Sequence, residues 1–269
     1  MPEIEKRKDV QNELELLRNA AREAGRIAMR YFGQSPEVWL KDGQSPVSEA
    51  DFAVDNYLKE VLLEARPDYG WISEETTDDR VAAARRRAFV VDPIDGTRGY
   101  INGQTQWCVS IAIVEDGKPI AGVLQCPARN EVIEAGKGFG ASQNGLPIST
   151  RLPPNGHKIA MASAKRMVET LPEGWRDRVI LHPYVPSLAY RIAMVARGDI
   201  AGTFIRPNSH DWDLAAADLI LSESGGALLT HDAQPLIYGG PTLQHGALVA
   251  SSGNLLQEML SVVADWPLS

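Results

Sequence analysis

The chain has 269 residues, 44% of them hydrophobic and 23% charged, with a net charge of −8. That is enough apolar material for a substantial core in one large or two smaller domains, and the acidic balance argues against a nucleic-acid surface. The charged start, Met1-Pro2-Glu3-Ile4-Glu5-Lys6-Arg7-Lys8, is unlike a signal peptide, and no apolar run approaches the roughly 20 residues of a membrane span. The two cysteines, Cys108 and Cys126, sit in apolar β-like stretches outside any CxxC spacing, which predicts buried thiols and a reducing, cytoplasmic setting.

Val10, Leu14, Leu17, Ala21, Ala24, Ala28 and Tyr31 recur at alternating steps of four and three. This predicts a long amphipathic helix ended by Gly33 and Pro36. Residues 38–41 read as a short strand before an Asp42-Gly43 turn. Ser48-Glu49-Ala50-Asp51 opens a second helix with Val54, Leu58, Val61 and Leu62 as its buried face, ended at Pro67-Asp68. Residues 69–73 lead into Glu74-Glu75, and 78–87 form a polar loop or short helix whose Arg85-Arg86-Arg87 run reads as surface. A hairpin of strands 107–114 and 120–126 turns at Asp116-Gly117-Lys118-Pro119, and 131–135 extends the sheet. Gly136, Gly138 and Gly140 are turn or bulge positions. Pro153-Pro154-Asn155-Gly156 is the best linker. The second half then predicts strand 159–162, helix 165–171, strand 179–181, a helix from Ser187 to Arg197 stopped by Gly198, and strand 201–205. Asp211-Trp212-Asp213 caps a helix reaching Ser224, followed by Gly225-Gly226, strand 247–250 and a last helix over 255–264.

The most informative stretch is Asp92-Pro93-Ile94-Asp95-Gly96-Thr97, directly after the apolar strand Ala88-Phe89-Val90-Val91. Pro93 lacks an N–H and cannot extend a central ladder, so a turn is expected there. Asp95-Gly96-Thr97 reads as a helix start, with an acidic cap and a glycine that lets the backbone approach a ligand. Carboxylates that collect a divalent cation, beside N–H groups that favour an anion, point to metal-assisted phosphate chemistry. A surface turn has the same composition. Asp51 and Asp213 at helix starts, and Glu74-Glu75 at a strand end, likewise have ordinary roles as dipole partners or solvated charge. All six acids nevertheless lie where α/β architectures place ligands. His157, His182, His210, His231 and His245 show no HxxxH pairing, so no zinc site is predicted, and His210 reads as a loop histidine.

Ser-Glu-Ala-Asp, Ser-Glu-Glu, Asp-Pro-Ile-Asp-Gly-Thr and Trp-Asp-Leu-Ala-Ala-Ala, in this order from about Lys41 to Gly226, closely resemble the inositol monophosphatase superfamily of magnesium-dependent, lithium-sensitive phosphatases. The resemblance implies an α/β (α+β) fold, a layered α-β-α-β-α sandwich of the inositol monophosphatase and fructose-1,6-bisphosphatase type. It implies two sub-domains, 1–152 with most metal ligands and 153–269 with Asp213 and the substrate-selecting residues, and commonly a homodimer. Carried over by position, Glu74, Asp92 and the Ile94 carbonyl would hold one Mg²⁺. Asp92, Asp95 and Asp213 would hold a second, and Glu75 would reach a third through water. Thr97, paired with Asp51 and helped by Glu74, would orient the attacking water, while the Gly96 and Thr97 amides would grip phosphate. Two ions roughly 3.5–4 Å apart suit such an in-line displacement.

The resemblance implies a small phosphorylated metabolite as substrate, with no nucleic-acid polymer or membrane expected. Inositol monophosphatases proper carry a glutamate seven residues before the Trp-Asp aspartate, and this chain has Arg206 there. A guanidinium cannot accept a hydrogen bond from an inositol hydroxyl but grips phosphate or carboxylate bidentately, which favours a substrate with a second anion. Arg191 and Arg98 would add positive potential. Asp-Gly-Thr-Arg-Gly-Tyr and His-Asp-Trp-Asp-Leu-Ala-Ala-Ala-Asp look most like the bacterial 3'(2'),5'-bisphosphate nucleotidase branch. Inositol-1-phosphate and histidinol-phosphate phosphatases are the alternatives. A different class is a protein partner in RNA transcription and processing, a role some bacterial members of the superfamily have.

Overall fold

Small and apolar residues at steps of four and three make Pro2–Tyr31 one long helix, α1, in which Leu17, Ala20, Ala21, Ala24 and Ala28 are buried. The computed structural model describes residues 2–34, 37–41, 45–75, 85–154 and 156–264. Strands β1 (Val38–Lys41) and β2 (Ser45–Ser48) pair antiparallel and lead into α2 (Glu49–Ala65). The alanines of α1 let the backbones of α1 and α2 come close. Val54, Leu58 and Leu62 are fully buried on α2, with Val61 at the half-buried margin.

These helices cover one face of a seven-stranded sheet. Its strands are β3 (Gly70–Ser73), β4 (Arg87–Asp95), β5 (Cys108–Glu115), β6 (Lys118–Cys126), β7 (Glu131–Gly136), β8 (Gly140–Gln143) and β9 (Leu146–Ile148), hydrogen-bonded in that order. Only the β3–β4 pair is parallel. A short helix, α3 (Thr97–Ile101), separates β4 from β5. Strand alternation sends Phe89, Val91, Val109, Ile111 and Val123 toward α1 and α2.

The other face carries Val90, Ala112, Leu124 and Cys126 and packs on helices from the second half of the chain. There β10 (Ile159–Met161) and β11 (Val179–Leu181) pair in parallel around the short helices α4 (Lys165–Glu169) and α5 (Glu173–Arg176). Next come α6 (Leu188–Arg197), β12 (Thr203–Ile205), β13 (Ser209–His210), α7 (Asp211–Glu223), β14 (Ala227–Thr230), β15 (Gln244–His245), β16 (Leu248–Ser251) and α8 (Gly253–Ala264). Helices α6 and α7 lie on the large sheet. At Gly122 an added Cβ would stand 3.0 Å from the Ala216 Cα, so this glycine sets how closely α7 approaches. A small sheet, β12-β16-β14, covers the outer side of these helices, and α8 covers the small sheet. The layers therefore run α-β-α-β-α, as the motif resemblance implies. Among the described residues no helix is long and apolar enough to cross a membrane.

Two sequence expectations are corrected. Strand β4 does not stop at Asp92 but runs through Pro93 to Asp95, because a bulge absorbs the missing N–H. Arg87, expected at the surface with Arg85 and Arg86, opens β4 with its side chain 19% exposed. It reaches Asp9, Glu13 and Glu115 and donates to the Tyr69 hydroxyl, because those acids approach the start of the strand from α1 and β5. Pro36, the Asp42-Gly43 turn, residues 78–84 and Asn155 lie outside the described residues.

Candidate active site

In a regular strand, residues three apart point to opposite faces. Between β4 and β5, Asp92 pairs with Ser110 and Asp95 with Cys108, so three steps on one strand match two on the other. Ser110 and Cys108 share a face, and the bulge puts Asp92 and Asp95 on that face too. The Ile94 N–H donates to the Asp92 carboxylate at 3.0 Å and holds the bulge closed. The shared face looks toward α6 and α7, whose first turns supply Asp213 and the donors to Asp95.

Asp213 stands in the first turn of α7. The cap of that helix is His210, one residue before the expected Asp211, and the His210 N–H donates to the Asp213 carboxylate at 2.6 Å. Carboxylate oxygens of Asp92, Asp95 and Asp213 lie within 4.8 Å of one another. Asp95 is not the cap of α3, as its position after the strand suggested. That place is taken by Gly96 at φ 96°, where an added Cβ would lie 3.1–3.2 Å from Ser187. Its glycine is thus required by left-handed backbone and a neighbouring helix end. Asp95 instead caps α6 from across the fold: its carboxylate accepts from Ser187 Oγ at 2.6 Å, Ala189 N at 2.6 Å and Leu188 N at 3.2 Å.

Asp51 sits in the first turn of α2, and one of its oxygens accepts from both the Ser48 N–H (2.8 Å) and the Ser48 hydroxyl (2.6 Å). Its other oxygen faces Thr97 Oγ1 at 3.4 Å, and the same hydroxyl lies 2.9 Å from the Ile94 carbonyl oxygen. Thr97, Asp51 and the Ile94 carbonyl therefore form one contiguous polar set beside the acid cluster. Glu74 and Glu75 follow β3, both half-buried; the Glu74 N–H donates to Val91 O and the Glu75 N–H to Ser73 Oγ. Arg191 is half-buried on α6, and Arg206 is exposed after β12.

The electrostatics of this cluster point to a cation. Burial, and then the charges of Glu74, Asp95, Asp213 and Asp51, push the Asp92 carboxyl well above its usual range. Burial and Asp95 do the same to Asp213. Asp95 is also raised by burial, with its three donors and Arg191 opposing the rise. An all-oxygen donor set of crowded, buried acids is what a hard divalent ion such as Mg²⁺ relieves. The two cysteines are buried, and burial pushes the Cys108 thiol well up, so that thiol is inert.

The sequence matches the inositol monophosphatase family over residues 9–265. The chain belongs to that family. Over 243 residues it is 31% identical to a histidinol-phosphatase of Chlorobaculum parvum, covering 86% of this chain and 90% of that protein. It is 29% identical to a 3'(2'),5'-bisphosphate nucleotidase CysQ of Aggregatibacter actinomycetemcomitans, covering 81% and 84%. Its fold matches that of the extragenic suppressor protein suhB from Bartonella henselae with a TM-score of 0.83 at 25% identity, covering 94% of this chain and 99% of that one. This inositol monophosphatase family member is a phosphoric monoester hydrolase, and its acid cluster suits the family's dependence on magnesium.

Several residues around the phosphatase site have roles that the fold creates. Ser187 carries in the sequence only the signal of a helix start. Asp55, one turn after Asp51, is buried and accepts from Ser73 Oγ at 2.5 Å, bracing the end of β3 just before Glu74. Its four-residue spacing from Asp51 was the available signal. Asp211 is fully buried and bound to His245, 34 residues away, a pairing no local pattern announces.

Proposed function

We propose that this phosphatase acts on a small phosphate ester carrying a second anionic group, and that adenosine 3',5'-bisphosphate, cleaved to AMP and phosphate, is its preferred substrate. The observation that carries the reading is Arg191. Its buried Nε has no hydrogen-bond partner among the described residues, and it lies close enough to Asp95 and Arg206 to feel both charges. Burial and the Arg206 charge pull the Arg191 guanidinium below its usual range, a cost that an anion between the two arginines relieves. By the motif resemblance, Arg206 replaces the glutamate that would accept hydroxyl hydrogens from inositol.

Asp92, Asp95 and Asp213, with Glu74, Glu75 and the Ile94 carbonyl, are the groups that would hold Mg²⁺, which when bound polarises the phosphoryl group and lowers the pKa of water. The Thr97 hydroxyl, between Asp51 and the Ile94 carbonyl, orients the attacking water, and Ser48 fixes Asp51 for that task. The backbone at Gly96 and Thr97 receives the phosphate. Water attacks phosphorus, the ester oxygen leaves with a proton, and inorganic phosphate is released.

Phosphate release from adenosine 3',5'-bisphosphate, inositol 1-phosphate and histidinol phosphate tests this. The bisphosphate should give the highest kcat/KM, and Arg206→Glu should move preference toward inositol phosphate. A higher kcat/KM for either monophosphate, or unaltered ratios in the variant, overturns the assignment. Absence of Mg²⁺-dependent release from all three would favour the protein-partner role.

A further inference from the structure

The first turn of α7 carries Asp213, and something must hold that turn still. Asp211, two residues before it, is fully buried, with its two carboxylate oxygens in separate bonds: Gly239 N–H donates to one at 2.6 Å and His245 Nε2 to the other at 2.7 Å. A carboxylate only accepts, so the imidazole proton sits on Nε2. The backbone closes the same joint from both sides. Asp211 N donates to Leu243 O at 2.9 Å, Asn208 N donates to His245 O at 2.9 Å, and β13 pairs with β15 with Ser209 opposite His245. His210 lies within this joint; its ring stacks on Trp212 at 4.6 Å and its N–H holds the Asp213 carboxylate. One polar joint therefore fixes the 239–245 loop to the residue that orients Asp213.

From this geometry we infer that His245 is a positioning residue: through buried Asp211 it sets the first turn of α7, so that Asp213 meets a divalent cation in register with Asp92 and Asp95. The inference rests on Asp213 being a ligand of that cation. In this assignment His245 acts through Asp211 and not by contact with cation or substrate. Its side chain is only 11% exposed, and its visible function is to fill one acceptor of Asp211. Carboxylates that hold metals are commonly fixed by hydrogen-bonded neighbours, and loss of such a neighbour weakens metal binding about 10–100-fold. Here the support is one step further removed, acting through the backbone between Asp211 and Asp213.

The test uses the full chain stripped of metal, with Mg²⁺ binding followed by calorimetry and by the rise in Tm, beside activity. His245→Phe fills similar space without the N–H, whereas His245→Gln places an amide N–H near the position of Nε2. We expect His245→Phe to weaken Mg²⁺ binding about tenfold and raise the Mg²⁺ needed for half-maximal activity equally. KM for substrate at saturating Mg²⁺ should stay within twofold, and His245→Gln should recover most of the affinity. Unchanged Mg²⁺ affinity in the Phe variant, or equal loss in both variants, overturns the positioning role. Asp213→Asn separates the underlying assumption: if it binds Mg²⁺ as the parent does, Asp213 is no ligand and the inference falls with it. Should His245→Phe not fold, Asp211→Asn, which keeps the side-chain size and one acceptor, must show the same weakening for the inference to stand.

Discussion

Ser187 Oγ donates to the Asp95 carboxylate at 2.6 Å and accepts the Tyr190 N–H at 2.9 Å. One hydroxyl thus caps α6 and steadies an acid of the metal cluster. Ser187→Ala should lower Tm by about 2–4 °C in metal-free protein, as loss of a cap costs about 1 kcal/mol. The same variant should bind Mg²⁺ more weakly. Thermal scans with EDTA and with Mg²⁺ check both, and a loss equal in the two conditions would confine Ser187 to capping.

The crowded acids also make the metal-free protein a strained object near neutral pH. Asp92 and Asp213 have folded pKa values raised above 3.8. Their contribution to stability is present below that value and lost as pH rises through the raised ones. Binding of Mg²⁺ to the native state should restore it, by about 2.7 kcal/mol at a hundred times Kd. Tm should therefore rise by several degrees on adding Mg²⁺ at pH 7.5 and much less at pH 4.5; equal rises at both would contradict the cluster.

Asp92→Asn removes the most buried member of the cluster. Turnover should fall on the order of 10³-fold, matching the several kcal/mol a metal supplies to a phosphoryl transition state. The metal-free fold should be preserved and more heat-stable at pH 7.5, since a buried charge is gone. Circular dichroism with a phosphate-release assay reads both.

Asp218, five residues beyond Asp213 on α7, gives a further pH test. Burial pushes its carboxyl up to about 6, against a bond from the Tyr238 hydroxyl at 2.8 Å. Its stabilisation is complete below pH 3.8 and is lost as pH passes about 6. Asp218→Asn, which still accepts from Tyr238, should match the parent near pH 4 and exceed it in Tm by a few degrees at pH 7.5. Parallel Tm curves for the two proteins would exclude the shift.

Arg87 joins α1, β4 and β5 through Asp9, Glu13 and Glu115, and Glu13 is only 2% exposed. Breaking a fully buried ion pair costs about 3–5 kcal/mol, but Asp9 is 41% exposed and Glu13 and Glu115 keep Arg66 and Arg86, so about 1–2 kcal/mol is expected here. Arg87→Ala should lower Tm by about 2–6 °C without changing KM. An unchanged Tm would show these acids to be solvated.

Much of this was legible because the relevant signals are local. The α1 stripe, the β5–β6 hairpin, Ser187 before α6 and Gly198 after it are each written within a few neighbouring residues. The acids stood out because each sits beside a helix start or strand end. What the sequence did not yield is tertiary. Pro93 looked like a terminator because nothing local announces that β5 tolerates a bulge beside it. Arg87 looked solvated because its partners lie 78 and 28 positions away. The β8–β9 hairpin was missed for another reason: its strands are short and weakly apolar, although Asn144-Gly145, both at positive φ, is the local turn signal for it.

The bulge in β4 makes the spacing between two acids a matter of parity. One residue added to β5 between Cys108 and Ser110 would restore a regular ladder opposite the bulge. It would also leave Asp92 and Asp95 on opposite faces, turning one carboxylate to the α1–α2 side, into an apolar layer with no cation to meet it. Such an insertion costs twice, in the broken acid cluster and in a carboxylate buried among apolar side chains.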